Sequence, residues 1–166
     1  PEPGEAAGLR RCACVEGCRA QGELRERGTV QGRRPAPARM KLLLDACTFL
    51  WIAGGERISD AAAAAYRDPS NTVYLSAASV WEITIKHQSG RLRLPEPPDT
   101  LIPTERRLRG IAALSVDEDA VYQLSRLPQL HRDPFDRILV CQAIAHSLAI
   151  LTPDPLIRQY PVRVLW

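Results

Sequence analysis

The stretch HRDPFDRILVCQAIAHSLAILTPD, residues 131–154, restricts the possible folds more than any other part of the chain. Asp133 has the side chain of an N-cap, Pro134 suits the first helical position because it lacks an N–H that would go unpaired there, and Asp136 falls in the first turn. A helix is predicted to begin at about Pro134. It continues through Ile138, Leu139, Val140, Cys141, Ala143, Ile144 and Ala145, apolar on nearly every side, so it belongs inside a layered fold. Residues 149–151 are too few for a helix and read as a buried strand. Thr152, Pro153 and Asp154 then repeat the order of cap, proline and acid, which predicts a second helix start. Two acids, Asp136 and Asp154, thus stand beside helix starts, and one follows the carboxyl end of a strand, where open α/β sheets place their sites. Each also has a plainer role open to it, complementing a helix dipole at about 0.3 to 1 kcal/mol.

From Met40 onward, strand-like and helix-like segments alternate. Residues 41–45 read as a strand running into Asp45, residues 48–53 as a short helix stopped by Gly54 and Gly55, and Ser59 as the cap of an alanine-rich helix to about Arg67. A turn at residues 68–71 leads to a strand at 72–75 and an amphipathic helix at 76–88 ending at Gly90. After a loop marked by Pro95, Pro97 and Pro98 come a helix at about 99–108, a strand at 111–114, a helix at 117–127, the stretch already described, and a last strand at 162–165. Strands separated by helices imply right-handed crossovers, hence an α/β fold of three layers with a central parallel sheet flanked by helices.

Residues 1–39 have a different character. They carry eight Arg and five Glu, six of the ten Gly, four of the fourteen Pro and three of the five Cys, with no periodic apolar face and no signal-peptide core. Disorder is expected there. Met40 is the only Met, so translation starting at that residue is expected, with the segment before it an upstream artefact or an optional extension. Cys12, Cys14 and Cys18 match no usual zinc spacing and have no fourth ligand nearby, so they read as incidental thiols. Cys47 and Cys141 lie in apolar surroundings and read as small buried hydrophobes; with nothing implying disulfides, a reducing cytoplasm fits. The longest apolar stretch, 138–151, is broken by Gln142, His146 and Ser147 and falls short of the ~20 residues that span a membrane. No membrane segment is expected.

Charge narrows the function further. Residues 40–166 carry 14 basic and 14 acidic side chains, a neutral body without the basic stripe that a long duplex requires. The chain has neither of the glycine-rich phosphate-binding signatures, which argues against a nucleotide cofactor. Four acids are more suggestive: Asp45 at the end of the first strand, Glu82 in the helix after the second, Asp136 and Asp154. In a parallel sheet all four can face one edge, where they would repel one another unless a divalent cation neutralised them, and hard oxygen donors favour Mg²⁺ or Mn²⁺.

Four blocks, LLLDACTFLW, VYLSAASVWEITIK, LHRDPFDRILVCQA and AILTPDPLIRQYPVRVLW, resemble in order and spacing the PIN domains of VapC-type toxins. The resemblance covers residues 41–166, so the chain reads as a PIN domain at 40–166 behind a dispensable extension. It implies a metal-dependent endoribonuclease of a toxin–antitoxin pair, with RNA as substrate, a cognate antitoxin and a homodimer. By motif, Asp45 matches the family's first acid, Glu82 the acid of its W-E-I block, Asp136 the second acid of D-P-F-D, and Asp154 the acid of its T-x-D block. Asp45, Glu82 and Asp136 are then the expected catalytic residues, and all four acids the expected metal ligands. The sequence departs from the family at Ala46 and Cys47, where Thr-His is common, which removes a hydroxyl beside Asp45.

Other readings are weaker. A haloacid-dehalogenase-like phosphatase would need an acid two residues after Asp45, where Cys47 stands. His131 has a proton-carrier role and a surface or cap role both open to it, while His87 and His146 have less to recommend them. Lys86 reads as a helix partner of Glu82, or as an anchor for that carboxylate or a phosphate, and Arg106, Arg107 and Arg109 as a solvated face or a contact for RNA or antitoxin. The rival from another class is a catalytically inactive PIN-like module that binds RNA or protein. Because residues 1–39 offer nothing to bury, a chain starting at Met40 is expected to keep its melting temperature and activity, and a drop of several degrees in a thermal melt would refute this.

Overall fold

Three consecutive leucines in the first strand divide the protein's interior in two. In the computed structural model, which describes residues 39–130 and 132–166, Lys41–Leu44 forms β1, and Leu42, Leu43 and Leu44 are fully buried. Side chains alternate across a strand, so Leu42 and Leu44 enter one apolar cluster and Leu43 the other. The same alternation sends Val73 and Leu75 one way and Tyr74 the other, and separates Ala149 and Leu151 from Ile150. A strand buried on both faces belongs to a sheet covered on both sides.

The remaining elements are α1 (Ala46–Ala53), α2 (Asp60–Arg67), β2 (Thr72–Ser76), α3 (Ala77–Gln88), α4 (Pro98–Arg109), β3 (Ala112–Leu114), α5 (Glu118–Gln123), α6 (Pro134–His146), β4 (Ala149–Leu151) and β5 (Arg163–Leu165). Every strand pairing is parallel, in the order β3-β2-β1-β4-β5. Side chains from α1, α2, α3 and α4 fill the first cluster, and those of α6 fill the second, with α5 packed on α6. The chain therefore has the expected three-layer architecture. Among the described residues no helix is long and apolar enough to cross a membrane. The expectations for residues 1–38, including Cys12, Cys14 and Cys18, and for His131 lie outside the described residues.

Local chemistry explains most boundaries. Ser59 accepts from the Ala62 N–H at 3.2 Å and Asp133 from the Phe135 N–H at 2.8 Å, each capping its helix as the sequence indicates. Gly110 ends α4 at φ 64°, a left-handed conformation that glycine adopts without strain. Cys47 and Cys141 are buried and in no disulfide, as expected. Three expectations fail, the first being the helix at 117–127, which ends at Gln123. The helix read as starting at residue 48 begins at Ala46, because Asp45 already stands at its N-cap. The second helix start, at Pro153, yields only a three-residue 3-10 turn, Ile157–Gln159. Asp154 instead accepts from the Leu156 N–H at 2.7 Å, and Pro155 and Pro161 confine the short path to β5.

One polar side chain lies inside the apolar helix α6. Gln142 is fully buried, accepts from the Ser76 hydroxyl at 2.6 Å and donates to the Ser115 carbonyl at 2.9 Å. Ser76 caps α3, accepting from the Ala78 N–H at 2.9 Å, so this amide ties α6 to the β2–α3 junction and to the segment after β3. Replacing Gln142 with Leu keeps the bulk but strands a buried hydroxyl and a carbonyl; chemical denaturation is expected to show a loss of about 1–3 kcal/mol. A change below about 0.5 kcal/mol would mean that the bonds contribute nothing net.

Candidate active site

The strand order reverses beside β1: the chain moves outward through β2 and β3, then returns to place β4 on the other flank. Such a reversal opens a crevice beyond the carboxyl ends of the two central strands. Asp45 follows β1 directly and Thr152 follows β4, and their side chains meet there, the Thr152 hydroxyl donating to Asp45 Oδ2 at 3.0 Å. The Asp45 N–H donates to the Leu151 carbonyl at 3.3 Å, extending the ladder one step past the strands. Although Asp45 occupies the N-cap of α1, its side chain makes no cap hydrogen bond. It is buried and faces other acids instead.

Two helices bring further acids to this edge. Ser76 ends β2 and begins α3, which places Glu82 in the second turn above the sheet, 6% exposed. A helix that leads into a parallel strand runs against it, so the N-terminus of α6 lies at the carboxyl edge and carries Asp136 there. Asp133 is the cap of α6, which leaves Asp136 no capping work to do.

The electrostatics set Asp136 apart from a simple dipole partner. Burial, and then the charges of Asp45, Asp133, Asp154 and Glu82, push its carboxyl up to about 8. Asp45 is pushed up to about 6, by burial first and by Glu82 next, with Asp154 adding and the Thr152 hydrogen bond opposing. A first-turn acid serving its helix would have its charge favoured, not opposed. The four sequence-derived acids are thus near enough to act on one another. Among the described residues, no three His, Cys, Asp or Glu side chains close into a ready-made metal-holding group. They stand apart, as mutually repelling carboxylates do.

The donor set nevertheless has the chemistry of a hard-cation site. Every candidate donor is a carboxylate oxygen, and Glu82 Oε2 is buried with no hydrogen-bond partner. The other oxygen of Glu82 accepts from the Lys86 ammonium, one turn along α3, which offsets part of the local negative charge. Asp154 is half-buried, with one oxygen engaged by the Leu156 N–H. Thr152 escaped the sequence reading, which saw only a cap. It supplies to Asp45 the hydroxyl whose loss at Ala46 and Cys47 had seemed unmet, and only the adjacency of β4 to β1 would have revealed it. Two of the three arginines of α4 are occupied in the fold: Arg106 donates to the Ile111 carbonyl, and Arg109 pairs with Glu105 and donates to the Ala53 carbonyl, whereas Arg107 is exposed.

Comparison with known proteins identifies the family and the fold. The family model for the PIN domain matches residues 42–162. The chain is 45% identical over 51 residues to Ribonuclease VapC16 of Mycobacterium tuberculosis, a match covering 31% of this chain and 36% of that protein. It thus spans about a third of that relative's length. The fold is similar to VapBC2 from Rickettsia felis, solved bound to a DNA fragment from their promoter, with a TM-score of 0.56 and 12% identity over 75% of this chain and 97% of that one. It is also similar to VapBC-1 from nontypeable Haemophilus influenzae, with a TM-score of 0.50 and 14% identity over 75% and 96% of the two chains.

The raised carboxyls set the sign of a pH effect. Asp45 and Asp136 bind protons more tightly folded than unfolded, so their contribution to stability is fully present below the unfolded value of 3.8 and is lost as pH rises to about 6 and about 8. Asp136→Asn removes the larger part of this penalty. In metal-free buffer its melting temperature is expected to match the parent's near about pH 4 and to exceed it above about pH 8. Equal melting temperatures across that range would mean that the carboxyl is not held in an environment hostile to its charge.

Proposed function

The chain belongs to the PIN-domain family, and from that premise we propose that it is a metal-dependent endoribonuclease, the toxin of a toxin–antitoxin pair, acting on RNA phosphodiester bonds. The observation that carries this reading is the gathering of Asp45, Glu82, Asp136 and Asp154 at the carboxyl edge where the strand order reverses. Asp45, Glu82 and Asp136 would hold Mg²⁺ or Mn²⁺, with Asp154 contributing its less engaged oxygen. When bound, the cation supplies Lewis-acid chemistry, activating water and stabilising charge at the phosphodiester.

The chain's own residues do the positioning. Thr152 fixes the orientation of Asp45 through its hydroxyl, and Asp133 anchors the first turn of α6, so the Asp136 backbone is set whatever its side chain binds. Lys86 holds one oxygen of Glu82 and leaves the other for a ligand. At neutral pH Asp136 retains its proton in the absence of a cation. Cation binding must therefore release protons, and affinity rises with pH through about 6 to 8.

Membership of the PIN-domain family and a fold shared with toxins solved as VapBC assemblies favour a cognate antitoxin; a homodimer, a cytoplasmic setting and a domain at residues 40–166 are further parts of the proposal. Co-expression of the neighbouring small gene product is expected to relieve toxicity and to yield a complex.

The deciding experiment incubates the purified protein with total cellular RNA, with Mn²⁺ or with chelator, and maps the new ends. Cleavage is expected only with metal. Asp45→Asn and Asp136→Asn are each expected to lose at least about a hundredfold in rate, more than the roughly 10–100-fold that loss of a group merely supporting a metal ligand costs, and Asp133→Asn to retain activity because asparagine also caps. Near-normal cleavage by both Asp45→Asn and Asp136→Asn would sink the proposal. Metal titration without any cleavage would point instead to an inactive RNA- or protein-binding module.

A further inference from the structure

Only nine of the 166 residues are Trp, Tyr or Phe, yet two of them stand immediately before acids of the site, Trp81 before Glu82 and Phe135 before Asp136. Their rings meet edge to face across the α3–α6 contact, with centroids 5.2 Å apart and planes at 79°. Phe135 is half-buried, whereas Trp81 is 62% exposed, and Ile85, one turn further along α3, is also exposed. Within one protomer a large indole is thus held by a neighbour on one side and largely exposed, one residue before Glu82.

The charge distribution indicates what would cover it. The acids repel phosphates, and the neutral body formed by residues 40–166 gives little counterion release on binding nucleic acid. This favours a contribution to single-strand affinity from the bases, which stack on aromatic faces regardless of sequence. We propose that Trp81, braced by Phe135, is the platform on which an unpaired base of the RNA stacks, holding the neighbouring phosphodiester beside Glu82 and Asp136. This rests on the ribonuclease reading of the site. Trp81 is here a substrate-positioning residue; it adds no proton transfer and no metal ligand.

The test uses short single-stranded RNA oligomers, intact or with one abasic position, in chelator so that nothing is cleaved. Intact oligomer is expected to quench tryptophan emission, and Trp81→Phe to abolish that quenching although Trp51 and Trp166 remain. Trp81→Ala should weaken binding about tenfold, the effect of losing one base stack, and should lose nothing more when the oligomer lacks the matching base. In metal, the same variant should raise KM about tenfold with kcat little changed, and Phe135→Leu should fall between parent and Trp81→Ala. Unchanged RNA affinity in Trp81→Ala, or quenching that persists in Trp81→Phe, overturns the inference. So does a loss confined to antitoxin binding, which would assign the indole to a protein surface. If stacking is observed but Asp45→Asn and Asp136→Asn still cleave, the platform stands and the metal-nuclease reading fails.

Discussion

The parallel pairing of β1 with β4 is the contact on which the rest of the crevice depends. It places Leu44 beside Leu151, and therefore Asp45 beside Thr152, one residue beyond the ladder. Because side chains alternate along a strand, the same register that sends Leu43 and Ile150 into one cluster and Leu44 and Leu151 into the other also decides where the two chains leave the sheet. A slip of one residue would exchange the two apolar faces and separate the Asp45–Thr152 bond at once. Packing energy thus guards a polar geometry that has little stability of its own.

That protection is needed because the carboxylates oppose the fold. Burial and mutual repulsion raise both Asp45 and Asp136, so the crevice resists its own ionisation. Neighbouring groups limit the damage: Thr152 on Asp45, Lys86 on Glu82 and the Leu156 N–H on Asp154. None of them neutralises the group fully. Local destabilisation of this kind is common where a protein must receive a charged ligand, since a site content without one would bind it weakly.

The architecture was legible because strand and helix periods are strong signals. Leu42 to Leu44, the Ser59 and Asp133 caps and Pro134 each read correctly from residue type alone. What could not be read depended on contacts between distant segments. Thr152 looked like a cap because nothing local to it mentions Asp45, which is 107 residues away. Gln142 looked like an interruption in an apolar run, whereas it is the amide that ties α6 to Ser76 and Ser115. The second cap, proline and acid sequence failed for the opposite reason: its local signal was sound, but the path to β5 left no room for a helix. The four acids could be placed on one edge from the alternation of elements. Their degree of mutual approach, and the aromatic pair beside them, could not.

The order of the strands also bears on how the chain reaches its native state. Asp45 lies on the first strand, whereas Asp136, Thr152 and Asp154 all come from the last third of the described chain. β1 must wait, with its second flank unpaired, until β4 has been made and folded back against it. Contacts of such long range close late and slowly, because the loop entropy is lost before the pairing is gained. A chain still being synthesised, with β4 not yet made, therefore has its acids apart and has no crevice.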